Sequence, residues 1–256
     1  MRISMPCHIY EELLLKRLMD VVKRFSCDCI ALSGGIDTSV ILLASVLTGL
    51  KPRGYLVIYR NGLPKDVIYV NHIAKVLNIH VEHLFVDSSN VEEIVQRVVE
   101  CIGKENIDSH GDGGCIEIRN DIVFYTFLSK AIDDGCKCIF TGSGGDEIFV
   151  GYSFMMNKVS YDLEKTREKL AYGRYPELEI GKCVGAKVVA PFLEESVLEL
   201  AFRIPINCLR SESMLGKEIL RQILEKHGLH FIANRVKTPA ESGAGTKAVC
   251  KSIYDE

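Results

Sequence analysis

The sequence predicts an α/β fold: a parallel twisted sheet with helices on both faces, followed by a helical C-terminal extension. Short apolar runs rich in β-branched residues alternate with segments whose apolar residues recur at helical spacing, and strand alternating with helix means a parallel sheet. Two glycine-rich turns each follow such a run and open a helix, as ligand-binding turns at the carboxyl edge of a doubly wound sheet do. After Tyr152 the strand pattern fades and helical segments punctuated by Pro176, Pro191, Pro205 and Pro239 take over. The expected organisation is a ligand-binding core over 1–155 and an extension over 156–256 that completes its site, with the boundary inside one structural unit.

The elements follow in order. Leu13, Leu14, Leu18, Val21, Val22 and Phe25 give helical spacing over Glu11 to Phe25. Strands are expected near Cys29 to Leu32, Tyr55 to Tyr59, His80 to Val86 and Cys138 to Thr141. Between them, helices are expected near Asp37 to Leu47, Asp66 to Leu77, Val91 to Cys101 and Asn120 to Asp133. The polar, glycine-rich stretch from Gly103 to Cys115 reads as a mobile loop, in which His110 and Asp112 are better explained as solvated groups than as metal ligands. Downstream, Ser160 to Ala171, Phe192 to Arg203 and Gly216 to His227 read as helices.

Composition bounds the function. With 256 residues, 47% hydrophobic and 25% charged, the chain can bury a substantial core. A net charge of −3 offers no overall basic surface for nucleic acid. No apolar run approaches membrane-spanning length and no signal-type segment opens the chain, so the expected location is the cytoplasm. The ten cysteines form two CxC pairs and no CxxC, which argues against a zinc or iron–sulfur site. Cys29 and Cys138 lie in apolar runs, so reduced core thiols are expected, with disulfides the alternative in a heat-adapted source. Two glutamines and no tryptophan, beside abundant Ile, Val, Lys and Glu, fit such a source.

Ser33, Gly34, Gly35, Ile36, Asp37, Thr38 and Ser39 carry the most specific chemistry. Two glycines allow close approach of an anion, while hydroxyls and the amides opening the next helix supply donors at its positive end. The lysine of a Walker loop is missing. Asp37 would repel phosphate oxygens unless a cation lay between them, so it reads as a magnesium ligand.

This string resembles the signature of the PP-loop ATP pyrophosphatases. Thr141-Gly-Ser-Gly-Gly-Asp-Glu-Ile-Phe-Val-Gly-Tyr152 resembles the SGxGxDExFxGY segment of asparagine synthetases. Ala190-Pro-Phe-Leu-Glu194 resembles their VPFLD, and Arg235-Val-Lys-Thr-Pro239 with Ser242, Gly243 and Gly245 resembles RxKxxxSxGxG. Lys217, Leu220 and Arg221 also match KxxLR. The resemblance, from about residue 12 to 245, implies a synthetase domain that uses ATP and Mg²⁺ to adenylate a carboxylate, releases pyrophosphate, and lets an amine displace AMP. It implies Asp37 and Asp146 as magnesium ligands and Ser33, Gly34, Gly35, Thr38 and Ser39 as the pyrophosphate cradle. Thr141 and Gly142 lie beside that cradle in the second motif. It also implies Lys237 as the cation on the leaving pyrophosphate, and Leu32 and Ile58 flanking adenine. Lys217 and Arg221, spaced i and i+4, could face a phosphate or form an exposed basic face.

Two departures matter. This sequence reaches the synthetase helix within about a dozen residues of Met1, without the glutaminase domain of glutamine-dependent relatives, so glutamine hydrolysis by that route is not expected. Ser143 stands where asparagine synthetases commonly carry an acid in the middle of SGxGxDE, which leaves the amine-transfer step without its usual carboxylate. Glu194 is a candidate to orient or deprotonate the amine instead. Related enzymes that close a β-lactam ring also depart there, so aspartate need not be the substrate. The expected partners are a small-molecule carboxylate and an amine or ammonia, with a separate glutaminase and a homo-oligomer left open. The alternatives are an ATP-using tRNA- or base-modifying PP-loop enzyme and a nucleotide-binding regulator without amide chemistry.

Overall fold

The computed structural model describes residues 5–108, 114–210 and 215–249. Five parallel strands, β1 (Cys29–Ala31), β2 (Arg53–Tyr59), β3 (Val81–Val86), β4 (Ile139–Phe140) and β5 (Val188–Val189), lie in the order β3-β2-β1-β4-β5. Chain order reverses between β1 and β4, which opens a crevice at their carboxyl ends. β5 is the strand the sequence did not announce. Only two residues long, it pairs Val188 with Ile139 and Val189 with Phe140, too short for any alternation to register.

Helices cover both faces because the strands are apolar on both. Along β2, Leu56 and Ile58 join one core with Ile30 and Phe140, while Tyr55, Val57 and Tyr59 join the other with Cys29 and Ile139. The helices Cys7–Phe25, Ile36–Leu47 and Glu218–Lys226 close the first core, through Leu14, Leu18, Val40, Leu43 and Ile223 among others. Val91–Ile102, Cys115–Asp133 and Pro176–Val184 close the second, through Val98, Ile122, Phe127 and Ile180. The Cys7–Phe25 helix begins four residues before its expected start and stops at Ser26, whose left-handed backbone (φ 48°) turns the chain into β1.

Much of the extension packs into the first core, while Ile180, Ala244 and Val249 join the second. The helix Ser160–Ala171 is anchored by Arg167, which is 1% exposed and donates to the carbonyls of Ile148 (2.6 Å) and Ala201 (2.8 Å). The expected helix over Phe192 to Arg203 is split: Pro191–Leu193 forms a 3₁₀ turn and Glu195–Ala201 the helix. A short helix, Lys104–Asp108, occupies part of the expected mobile loop, and His110 and Asp112 lie outside the described residues.

The cysteines correct the expectation of reduced thiols. All nine described cysteines are disulfide-bonded. Cys27–Cys138 and Cys29–Cys136 tie β1 to β4 at their amino ends, Cys7–Cys208 ties the first helix to the 3₁₀ turn Ile206–Cys208, and Cys101–Cys183 joins two helices of the second core. Burial was legible in the apolar surroundings. Pairing was not, since it depends on Cα separations of 4.8 to 6.0 Å between residues 82 to 201 positions apart.

Candidate active site

A cavity of 540 Å³ opens at the carboxyl ends of β1 and β4. Ser33, Gly35, Asp37 and Thr38 line it from the first glycine turn, and Thr141 to Gly144, Asp146 and Glu147 from the second. Lys217, Arg235 and Lys237 enter from the extension.

The first turn folds on itself before the helix Ile36–Leu47 starts. The Gly35 N–H donates to Ser33 Oγ at 3.2 Å, and Ser33 Oγ lies 3.3 Å from Thr38 Oγ1. Gly34 has φ +65° and sits where any Cβ would strike Tyr69, so its glycine serves close packing against the helix Asp66–Leu77. Arg235 fixes the turn from outside. It donates to the Ser33 carbonyl at 2.6 Å and to Asp66 Oδ1, and its guanidinium lies 4.2 Å from the Tyr69 ring centroid.

Asp37 and Asp146 are brought together around one lysine. Lys217 Nζ lies 2.5 Å from Asp37 Oδ2 and 2.7 Å from Asp146 Oδ1, and Lys237 Nζ lies 2.8 Å from the same Asp146 oxygen. Gly145 makes room for the pair, since a Cβ there would collide with the Asp37 carboxylate. Burial drives the Asp37 carboxyl up to about 6 against the pull of Lys217. Burial also opposes ionisation of Asp146, but Lys217 and Lys237 together hold its carboxyl below the usual range. Backbone strain concentrates here: Val150 (φ 62°) and Lys217 (φ 56°) both adopt left-handed conformations that non-glycine residues avoid. Asp37 Oδ1 is buried without a hydrogen-bond partner among the described residues, so the pair retains acceptor capacity for a hard divalent cation.

Lys217 and Arg221 are not an exposed basic face. They are 5% and 4% exposed, and Arg221 donates to the backbone carbonyls of Gly216 (2.7 Å), Ala233 (2.5 Å) and Arg235 (2.9 Å), which holds the Arg235–Lys237 segment in place. Lys237 lies 3.8 Å above the Tyr152 ring centroid. Leu32 lines the cavity beside Leu56 and Val57, whereas Ile58 points into the first core. Gly34 and Ser39 are also absent from the lining, and Ser39 is fully buried.

Glu194 is not brought to the site. Its carboxylate pairs with Arg24 on the surface and does not line the cavity, because the Pro191–Leu193 turn aims it toward the first helix. Ser143, by contrast, lies within reach of a carboxylate that sequence reasoning missed. Its hydroxyl donates to Glu177 Oε1 and lies 2.8 Å from Thr141 Oγ1. Asp121, fully buried, also faces the cavity. Its signal was readable: it stands three residues after Ile118 and one before Ile122, an acid on the apolar side of a helix.

The asparagine synthase family model matches residues 28–178. The chain belongs to that family. It is 28% identical over 265 residues to the putative glutamine-hydrolysing asparagine synthetase 1 of Methanocaldococcus jannaschii, covering 87% of this chain and 46% of that protein. With asparagine synthetase B of Escherichia coli K12 it shares 29% over 135 residues, half of this chain and 24% of the other. The chain thus spans less than half the length of these relatives. A solved structure, NMN synthetase from Francisella tularensis, aligns over 92% of this chain and 99% of its own at 14% identity and a TM-score of 0.41, too low to carry an argument. The family match contains both glycine motifs and Glu177, while Lys217, Arg235 and Lys237 lie beyond it. No helix among the described residues is long and apolar enough to cross a membrane.

Proposed function

We propose that the chain activates a carboxylate by adenylation with ATP, releasing pyrophosphate, and passes the acyl group to an amine or ammonia. One observation supports this best: segments around residues 33–38, 141–147, 217 and 235–237 meet in one cavity, where Lys217 contacts Asp37 and Asp146 and Lys237 contacts Asp146, each at 2.5 to 2.8 Å.

Leu32, Leu56 and Val57 offer an apolar strip for adenine. The Ser33 and Thr38 hydroxyls and the amides opening the Ile36–Leu47 helix supply donors for phosphate oxygens. Asp37 and Asp146 would hold Mg²⁺, which when bound neutralises polyphosphate charge. Lys237 follows the charge that builds on the departing pyrophosphate, so its contribution grows toward the transition state. Lys217 holds both aspartates through its ammonium group. The amine-attack role first considered for Glu194 passes to Glu177, whose burial raises its carboxyl above the ordinary range and suits it to accept a proton.

The test is pyrophosphate exchange into ATP, screened against carboxylates. At least one acid should support exchange. Lys237→Ala should slow it roughly 10²- to 10³-fold with ATP affinity retained. Glu194→Gln, outside the cavity, should change neither exchange nor amide product. Absence of exchange with every acid, or full exchange in Lys237→Ala, would overturn the proposal.

A further inference from the structure

The cavity is electrically two-ended. Around the glycine turns, Lys217, Arg221, Arg235 and Lys237 face Asp37, Asp66 and Asp146. The far wall carries Glu117, Asp121, Glu147 and Glu177 against Arg174 alone. That arginine is already engaged, 2.5 Å from Glu117 and 2.8 Å from Glu179. Glu147 accepts from the Tyr152 hydroxyl and Glu177 from Ser143.

Asp121 has no such relief. It is 0% exposed, it lines the cavity, and among the described residues neither carboxylate oxygen has a hydrogen-bond partner. Burying an unpartnered carboxylate costs stability that apolar packing would have avoided. Desolvation, reinforced by Glu117, Glu177 and Glu179 and opposed by Arg174, pushes its carboxyl up to about 8. A cation placed against it would supply the missing partner and restore the ionised form.

We infer that this wall holds a protonated amine or guanidinium carried by the carboxylate substrate, with Asp121 as its anchor and Glu177 beside it, so that the substrate is a cationic amino acid and not an acidic one. The inference rests on the ligase reading for the other end of the molecule: the substrate's carboxylate must point to the glycine turns while its cationic group reaches the far wall. An acidic side chain there would meet four carboxylates and one occupied arginine, a like-charge arrangement that costs binding.

The experiment measures binding of L-ornithine, L-lysine, L-arginine, L-aspartate and L-glutamate by calorimetry, with and without a non-cleavable ATP analogue, and runs exchange with the same five. At least one cationic acid should bind and support exchange with a KM at least tenfold below that of the acidic pair. Asp121→Asn should raise that KM at least tenfold while leaving kcat within a few-fold and ATP affinity unchanged, and Asp121→Ser provides a second variant should Asp121→Asn fail to fold. Preference for aspartate or glutamate, or cationic binding indifferent to both substitutions, overturns the inference and leaves the ligase reading standing. Cationic binding that depends on Asp121 without any exchange overturns the ligase reading and leaves the wall. No binding and no exchange overturns both.

Discussion

The two edges of the sheet are stabilised by opposite means. At the amino edge, Cys27–Cys138 and Cys29–Cys136 clamp β1 to β4 covalently, beside well-packed apolar residues. At the carboxyl edge of the same strands, the chain keeps buried carboxylates, lysines and left-handed residues together. Cross-links fix positions without placing charge in the interior. Charges are costly to bury, so the cross-linked edge supports the charged one.

The largest effect should come from the clamp. Because the two disulfides are nested, with separations of 111 and 107 residues, either alone closes essentially the same loop. Converting one pair to alanine should cost within about 1 kcal/mol of chain entropy, whereas converting both should cost about 4 to 5 kcal/mol, as expected for a loop near 100 residues. Denaturant unfolding of the two double variants and the quadruple variant measures this, and additive losses would show that the cross-links act through packing instead.

Next comes Lys217→Met. It leaves Asp146 with Lys237 as its remaining partner and Asp37 with no ion pair among the described residues, and breaking a buried pair in this way costs about 3 kcal/mol. Exchange should be lost as well. A variant with wild-type unfolding midpoint would mean that water enters between the aspartates, erasing the contrast between the edges.

The smallest effect is pH-dependent. Asp121 holds its proton in the folded chain up to about 8, so the folded state binds more protons than the unfolded one between roughly pH 4 and 8, and stability contributed by the protonated carboxyl falls across that window. Asp121→Asn should flatten this slope and raise stability near pH 8 by about 1 kcal/mol, measured as thermal midpoints at pH 5 and 8. An unchanged slope would assign the decline to the other buried carboxyls held above the ordinary range, Asp37, Asp66 and Glu177.

Sequence reasoning located the reactive edge better than the clamped one. The glycine turns after β1 and β4 were visible because backbone approach to an anion needs particular residues at consecutive positions. The helix Asp66–Leu77 was found to the residue because its apolar period is uninterrupted. Pro176–Val184, which carries Glu177, was missed: its proline read as punctuation, yet it occupies the first helical turn, where proline is tolerated. Ile58 was assigned to adenine, but it packs into the first core away from the cavity, and Leu56 and Val57 of the same strand line the cavity instead. Pairings such as Ser143 with Glu177, 34 residues apart, depend on two loops meeting and leave no local trace.

Arg235 gives the molecule an order in time. The turn it fixes at Ser33 is made 202 residues earlier, so a growing chain carries that turn unlocked while those residues are added. The same late segment brings Gly245 against Gly62 and Thr246 to the Arg119 carbonyl at 2.8 Å. Translation therefore makes the strands before the segment that locks the turn, so a nascent chain halted before Arg235 would hold the strands of the sheet but not the lock on the glycine turn at Ser33.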